Sequence, residues 1–420
     1  MRLTQSYERA VVAAGRNYAG EDMESTDPIP ASSALVAKVV AAAESDLLAV
    51  RRDLHAHPEL SWAEERTTEV VLAHLRGTSW RVRQVTGGGV IADLGDGETA
   101  VALRADLDAL PIEDLTTDPW RSTVRGAAHA CGHDVHVAAL LGASLALGEV
   151  HAAGLLPGRV RLLFQPAEEV MPGGALHLLA DGALDDVSAV FGLHCDPSLD
   201  VGRVGLREGP LTGAADFLQV RLNGRGGHTS RPHLTEELTF ALGKLITELP
   251  AILSRRLDPR AGVSVVWGKV AAGSAANVIP GSGELVGTVR MLDAVTWAEA
   301  EHLVRTLIGQ VVAPYGVTAE ITYQRGVPPV VNGREETASL TEAVERILGR
   351  RGPVPTPQSL GGEDFGWYLD KVPGSMARLG TRTPGGPTYD LHQGNLRVDE
   401  RAVAIGARLL AEVAIVAHGG

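Results

Sequence analysis

The chain has 420 residues, too many for one ordinary hydrophobic core, so two domains are expected. Its 45% hydrophobic and 21% charged residues suit a globular enzyme, and 49 glycines beside only 4% aromatics point to a loop-rich α/β protein. A formal net charge of −13 excludes a sequence-independent nucleic-acid binder, which needs a basic face.

Residues 1–33 read as a loosely packed extension, with Asp27-Pro28-Ile29-Pro30 breaking any helix. Its start lacks the basic and continuous apolar stretches of a secretory signal, and no apolar run in the chain is expected to span a bilayer. The only cysteines, Cys131 and Cys195, both lie beside histidines in candidate metal motifs. Reduced thiols and a cytoplasmic protein are therefore expected, with no membrane partner.

Apolar residues at helical spacing predict a helix over 34–55 and another over 64–75. Two strands follow, 90–94 and 99–105, expected to form a hairpin through the tight turn Gly95-Asp96-Gly97. Asp134 is the expected N-cap of a buried helix over 135–147. A strand over 160–164, a helix near 174–181 and a strand over 189–193 ending at His194 come next. From 214 to 324 the order strand 217–222, helix 235–253, strands 263–270 and 283–291, helix 297–312 and strand 318–323 is β-α-β-β-α-β, that of a ferredoxin-like unit. Helices over 335–348 and 399–417 close the chain. The fold expected is thus a discontinuous α/β domain, 34–213 with 325–420, interrupted by an α+β domain at 214–324.

Outside the inserted unit, the polar clusters fall at predicted strand ends, where open α/β sheets gather ligands. Asp106 and Asp108 end one strand, Glu168 and Glu169 follow another, His194 ends a third, and Cys131 and His133 open a helix. Cys, His and Glu are the ligands of borderline-soft divalent metals, and a carboxylate beside a ligand can serve as general base. Metal binding would make Cys131 a compact thiolate able to bridge two ions. A papain-like Cys nucleophile is the rival, but it leaves the carboxylate pair unexplained. Gln165-Pro166-Ala167 and Met171-Pro172-Gly173-Gly174 place that pair in a constrained turn, so one carboxylate can bind metal while the other faces water. There is no H-E-x-x-H helix, G-x-S-x-G elbow or G-x-x-x-x-G-K-[ST] loop, and Gly87-Gly88-Gly89 leads into a strand, unlike a dinucleotide fingerprint.

From about Asp53 to Ala417 the motifs occur in one order: Asp53 to Leu60, Arg104 to Pro111, His129 to His136, Phe164 to Glu169, and Gly192-Leu193-His194. Gly226-Gly227-His228, Asn277-Val278-Ile279-Pro280, Gly361 to Phe365 and His392 complete the series. Together they resemble the aminoacylase and hippurate hydrolase branch of the two-metal zinc peptidase family, which includes the plant auxin-conjugate hydrolases. The resemblance implies a di-metal aminopeptidase-like catalytic domain with a ferredoxin-like lid that is also a dimerisation surface. It implies metal ligands at Cys131, His133, Glu169, His194 and His392, a catalytic base at Glu168, and a supporting carboxylate at Asp108. His228 matches a lid residue reaching the partner subunit's site, and Asn277 and Arg290 match lid positions associated with substrate. Only the resemblance singles out His392. Thr229-Ser230-Arg231 and Gln393-Gly394-Asn395 depart from the family pattern where substrate would bind, and the extension has no clear counterpart.

The expected activity is hydrolysis of the amide bond of N-acyl amino acids or similar small conjugates by two divalent ions, zinc or manganese, in a homodimer formed through the lid. Glu168 would deprotonate the attacking water, and the ions with His228 would stabilise the oxyanion. A dipeptidase or exopeptidase on the same scaffold and a non-catalytic metal-dependent binding protein are the alternatives; an intact Glu168 speaks against the last.

Overall fold

The structure, a computed structural model, describes residues 30–419, so most of the extension predicted for 1–33 lies outside the described residues. Its last residues do not belong to an extension. The first described helix spans Ala31–Ala56, and the Ser33 hydroxyl is buried against Glu412, to which it donates at 2.9 Å.

An eight-stranded sheet forms the larger body, in the order Arg81–Gln84, Val90–Leu94, Arg159–Gln165, Ala100–Asp106, Val187–Asp200, Gly374–Arg382, Val204–Leu206, Pro353–Pro355. Helices Ala31–Ala56, His133–Ala152 and Arg401–Val416 pack together and cover one face around the main apolar core. Ala175–Ala180 and Gly366–Leu369 contribute to a second core built on Leu163, Val190 and Met376. With both faces covered, the central strands are buried at nearly every position.

The expected hairpin does not form. Arg159–Gln165 inserts between its two strands, antiparallel to Val90–Leu94 (Val90 opposite Phe164) and parallel to Ala100–Asp106. Ala100–Asp106 is buried at all seven positions, so burial demands a neighbour on each side, which a terminal hairpin arm would lack. The hairpin that does form joins Arg81–Gln84, unrecognised in the sequence, to Val90–Leu94. Its turn runs through Gly87, Gly88 and Gly89, all at positive φ, and a Cβ at Gly89 would meet the Phe164 carbonyl oxygen at 2.8 Å.

Asp134 is not an N-cap. The helix begins at His133 after Gly132, and Asp134 sits in its first turn with its carboxylate 2.8 Å from both Arg51 Nε and His55 Nδ1. That helix, His133–Ala152, corrects another expectation, being long and apolar enough to cross a bilayer by length and composition alone. Here it is buried in the core between Ala31–Ala56 and Arg401–Val416. His194 is not a strand terminus either. Its strand runs on to Asp200, because beyond Gly192, its last partner on Ala100–Asp106, it continues alongside Gly374–Arg382.

The inserted segment forms its own four-stranded antiparallel sheet, in the order Ser264–Ala272, Ser282–Met291, Ala214–Asn223, Thr318–Val327. Helices Leu238–Arg256 and Ala294–Val312 cover one face through leucines at helical spacing, including Leu238, Leu242, Leu245 and Leu249. Where this lid joins the larger sheet, buried Asp216 accepts from Trp297 Nε1 (3.0 Å), the Tyr323 hydroxyl (2.6 Å) and Gly326 N (2.9 Å). Trp297 also meets Trp367 edge to face, and Trp367 Nε1 donates to the Pro172 carbonyl.

Candidate metal centre

The loop before helix His133–Ala152 presents Cys131 and His133. Gly132 between them has φ +89°, and a Cβ there would approach Cys195 Sγ to 2.7 Å, so only glycine fits this turn. The Gln165–Glu169 turn brings Glu168 and Glu169 to the same place. It is held by Glu64, which accepts from Ala167 N at 2.7 Å, and by Asp108, whose Oδ2 accepts from Glu169 N at 2.9 Å and from the Ser61 hydroxyl at 2.6 Å. His392, at φ +61°, is docked by its N–H on the Ala130 carbonyl at 2.8 Å.

These residues converge. The donor atoms of Cys131, His133 and His194 lie within 4.8 Å of one another, as do those of Cys131, Glu169 and His392, so two triads share the Cys131 sulfur. His194 Nε2 is 3.4 Å from that sulfur, His392 Nε2 3.3 Å from Glu169 Oε2, and His133 Nε2 3.7 Å from Glu169 Oε1. The tautomers suit cation binding. Nδ1–H of His133 donates to the Asp108 carbonyl and Nδ1–H of His194 to the Cys195 carbonyl, each leaving an Nε2 lone pair facing inward. His133 Nε2 and Glu169 Oε1 are buried without a hydrogen-bond partner, an arrangement a cation would satisfy. His136 differs. Its Nδ1–H donates to Asp106 and its Nε2 accepts from Cys195 N, so both nitrogens are engaged and it braces the centre without ligating.

The electrostatics also favour positive charge. Burial and then the neighbouring Glu363, Glu169, Asp364 and Asp106 push the Glu168 carboxyl well above its usual range. Burial, Glu169 and Glu168 do the same to the Cys131 thiol. Burial opposes a proton on His133, yet Asp106, Asp108 and Glu169 outweigh it and raise its pKa to about 10. A divalent ion relieves all three, holding Cys131 as thiolate and both glutamates ionised.

The residues that hold this centre in place largely escaped sequence reasoning. Arg104, fully buried, lies 2.6 Å from Asp106, 2.7 Å from Asp364 and 3.2 Å from Glu363, and donates to Gln165 at 3.0 Å. Tyr368 donates to the same Gln165 oxygen. An arginine between Leu103 and Ala105, after four apolar residues of the same strand, was the available signal, since a buried cation must find counter-charges. Of the expected site residues, Cys131, His133, Glu168, Glu169, His194, His392 and Asp108 come together here. His228 and Asn277 lie together on the lid, where Thr229 N donates to the Asn277 carbonyl, and Arg290 reaches from the lid to the Leu360 carbonyl.

Fold and site together are those of a metal-dependent hydrolase of amide bonds. Residues 102–415 match the profile of peptidase family M20/M25/M40, and the chain belongs to this family. It is 38% identical over 375 residues to N-acetyl-L-cysteine deacetylase of Bacillus subtilis strain 168, covering 88% of each protein. A relative in Rhodococcus jostii strain RHA1 that bears a glutamate–cysteine ligase name is 51% identical over 370 residues, 87% of this chain; the match spans only 46% of that protein. The crystal structure of a dinuclear metal-binding M20 peptidase from Bacillus subtilis superposes with a TM-score of 0.78 at 34% identity, over 90% of this chain and 99% of that one.

Proposed function

We propose that this chain hydrolyses the amide bond of N-acyl amino acids or similar small conjugates. Cys131, His133, Glu169, His194 and His392 hold two divalent ions, zinc or manganese, a set whose thiolate disfavours magnesium. The observation that carries this reading is the pair of donor triads sharing Cys131, with the Glu168 carboxylate beside them and 3.9 Å from His133 Nε2. When bound, the ions supply electrophilic polarisation and lower the pKa of water toward neutrality.

Glu168 accepts the proton of the attacking water and returns it to the leaving amine. Asp108 keeps His133 and the Glu169 backbone oriented through the contacts already given. His228 donates to the oxyanion, and Asn277 and Arg290 contact substrate. The homology to an enzyme named for N-acetylcysteine deacetylation supports an acylated amino acid as substrate. Two buried free cysteines support a reducing, cytoplasmic setting. The outer lid strand Ser264–Ala272, with Val266 and Val270 exposed, supports a homodimer built by strand pairing across a two-fold axis, in which His228 completes the partner's site.

The test is metal content together with hydrolysis of a panel of N-acyl amino acids and dipeptides by the purified, chelated, and zinc- or manganese-reloaded enzyme. The reading expects chelation to abolish activity, metal to restore it, and N-acyl amino acids to be the faster substrates. Full activity without metal, or a preference for dipeptides, refutes it.

A further inference from the structure

We propose that Ser230 is a positioning residue that holds His228 in the Nε2–H tautomer, so that the free edge of the ring presents a proton to the substrate oxyanion. This inference rests on the donor role proposed for His228.

His228 ends the short strand Gly227–His228, paired with Val278–Ile279. The chain then turns back, with Arg231 N donating to the His228 carbonyl at 2.9 Å and Thr229 N pinned to the Asn277 carbonyl at 3.2 Å. Inside that turn the Ser230 N–H points back at the imidazole and donates to His228 Nδ1 at 3.1 Å, a local side-chain-to-backbone bond of the kind short polar side chains make in Asx turns. A backbone N–H can only donate, so Nδ1 is the acceptor and carries no proton. The Ser230 hydroxyl, 2.9 Å from the same nitrogen, is then a second donor to it. The single proton of the neutral ring is left on Nε2, and among the described residues no partner engages Nε2.

A neutral imidazole with its proton already on the outward nitrogen is a ready electrophile, because no tautomer exchange is needed as charge develops on the oxygen. The N–H of residue 230 survives any non-proline substitution, whereas the hydroxyl is specific to serine or threonine. The hydroxyl is therefore the separable part of the device.

The full-length enzyme labelled with 15N-histidine tests this by two-bond proton–nitrogen spectra, with His228 assigned from its loss in H228Q. The expected spectrum shows Nδ1 unprotonated and Nε2 protonated. In parallel, S230A is expected to lower kcat on an N-acyl amino acid by about threefold to tenfold, the worth of one neutral hydrogen bond, with KM changed by less than about twofold and S230T restoring the rate. A proton on Nδ1, or S230A turning over like the wild type, overturns the inference. A wild-type rate in H228A would overturn the donor role itself and this inference with it; that failure is told apart because the tautomer spectrum stays as expected.

Discussion

Glu168 and Glu169 are neighbours with the same chemistry, and only their surroundings separate them. Glu169 faces Cys131 and His392, whereas Glu168 faces Glu363 and Asp364 on the side of Arg104. Glu168→Gln is therefore expected to keep its metal and lose roughly 10²–10⁴-fold in turnover, the usual cost of a missing general base. Glu169→Gln is expected to lose metal directly; elemental analysis of both variants checks the assignment, and the opposite pattern would exchange the two roles. Glu64 makes a different test. Burial pushes its carboxyl up to about 7 despite the backbone N–H bonds that favour the ion. A carboxyl raised in the folded state contributes stability that is full below its unfolded pKa, near 4.5, and is lost as pH rises through about 7. Glu64→Gln removes that dependence. Between pH 4.5 and 8 the urea stability of the variant should gain on the wild type by up to about 3 kcal/mol, and a pH-independent difference would contradict the assignment.

At the scale of elements, the centre depends on three turns held in conformations that ordinary residues avoid: Gly132, Ala167 at φ +54° and His392 at φ +61°. Each positive φ aims a ligand or its neighbour inward and is held by a tertiary hydrogen bond or close contact. At Ala167 and His392, two of the four non-glycine residues with positive φ among the described residues, it carries backbone strain at the functional site. Gly132→Ala tests the tightest of them. The added methyl would strike Cys195, and the expected loss is about 1–3 kcal/mol of stability together with weaker metal affinity. Adding Cys195→Gly, which removes both the Sγ at 2.7 Å and the Cβ at 2.9 Å that the methyl would meet, should recover the steric part and leave the φ part, measurable as a partial return of Tm and metal content. If the double variant is no better than Gly132→Ala, the clash is not what excludes a side chain there.

At the scale of the molecule, a core within the lid, separate from the two that flank the eight-stranded sheet, makes the lid a body able to carry His228 on a surface of its own. The proposed dimer predicts complementation. Glu168→Gln and His228→Ala subunits, each inactive alone, are mixed under conditions where exchange is confirmed. If His228 acts in the partner's site, a mixed dimer gathers both lesions in one site and leaves the other intact, returning about a quarter of wild-type activity for equal random mixing. If it acts in its own subunit, every site keeps one lesion and no activity returns.

Much of this was legible in the sequence because it is local. Helical spacing located Ala31–Ala56 and Arg401–Val416 to within a few residues, the β-α-β-β-α-β order of the lid reads directly along the chain, Cys131 and His133 stand two residues apart where a helix begins, and Glu168 and Glu169 are neighbours on a short turn. What the sequence could not supply is non-local. Strand order depends on which strand is buried on both sides, so Arg159–Gln165 displaced the local hairpin. His194 lies well inside a long strand, and its position is set by where the neighbouring strand Ala100–Asp106 ends. Asp134 gave up the cap for Arg51 and His55, about eighty residues away, because a buried carboxylate gains more from buried counter-charges than from an exposed turn. By itself the sequence determined the long helices, the element order of the lid and the donor types, since periodicity and short turns act over a few residues; only tertiary structure decided the strands Arg81–Gln84 and Gly374–Arg382, which donors meet and which nitrogen of each histidine faces inward, since these follow from hydrogen bonds between segments far apart in the chain.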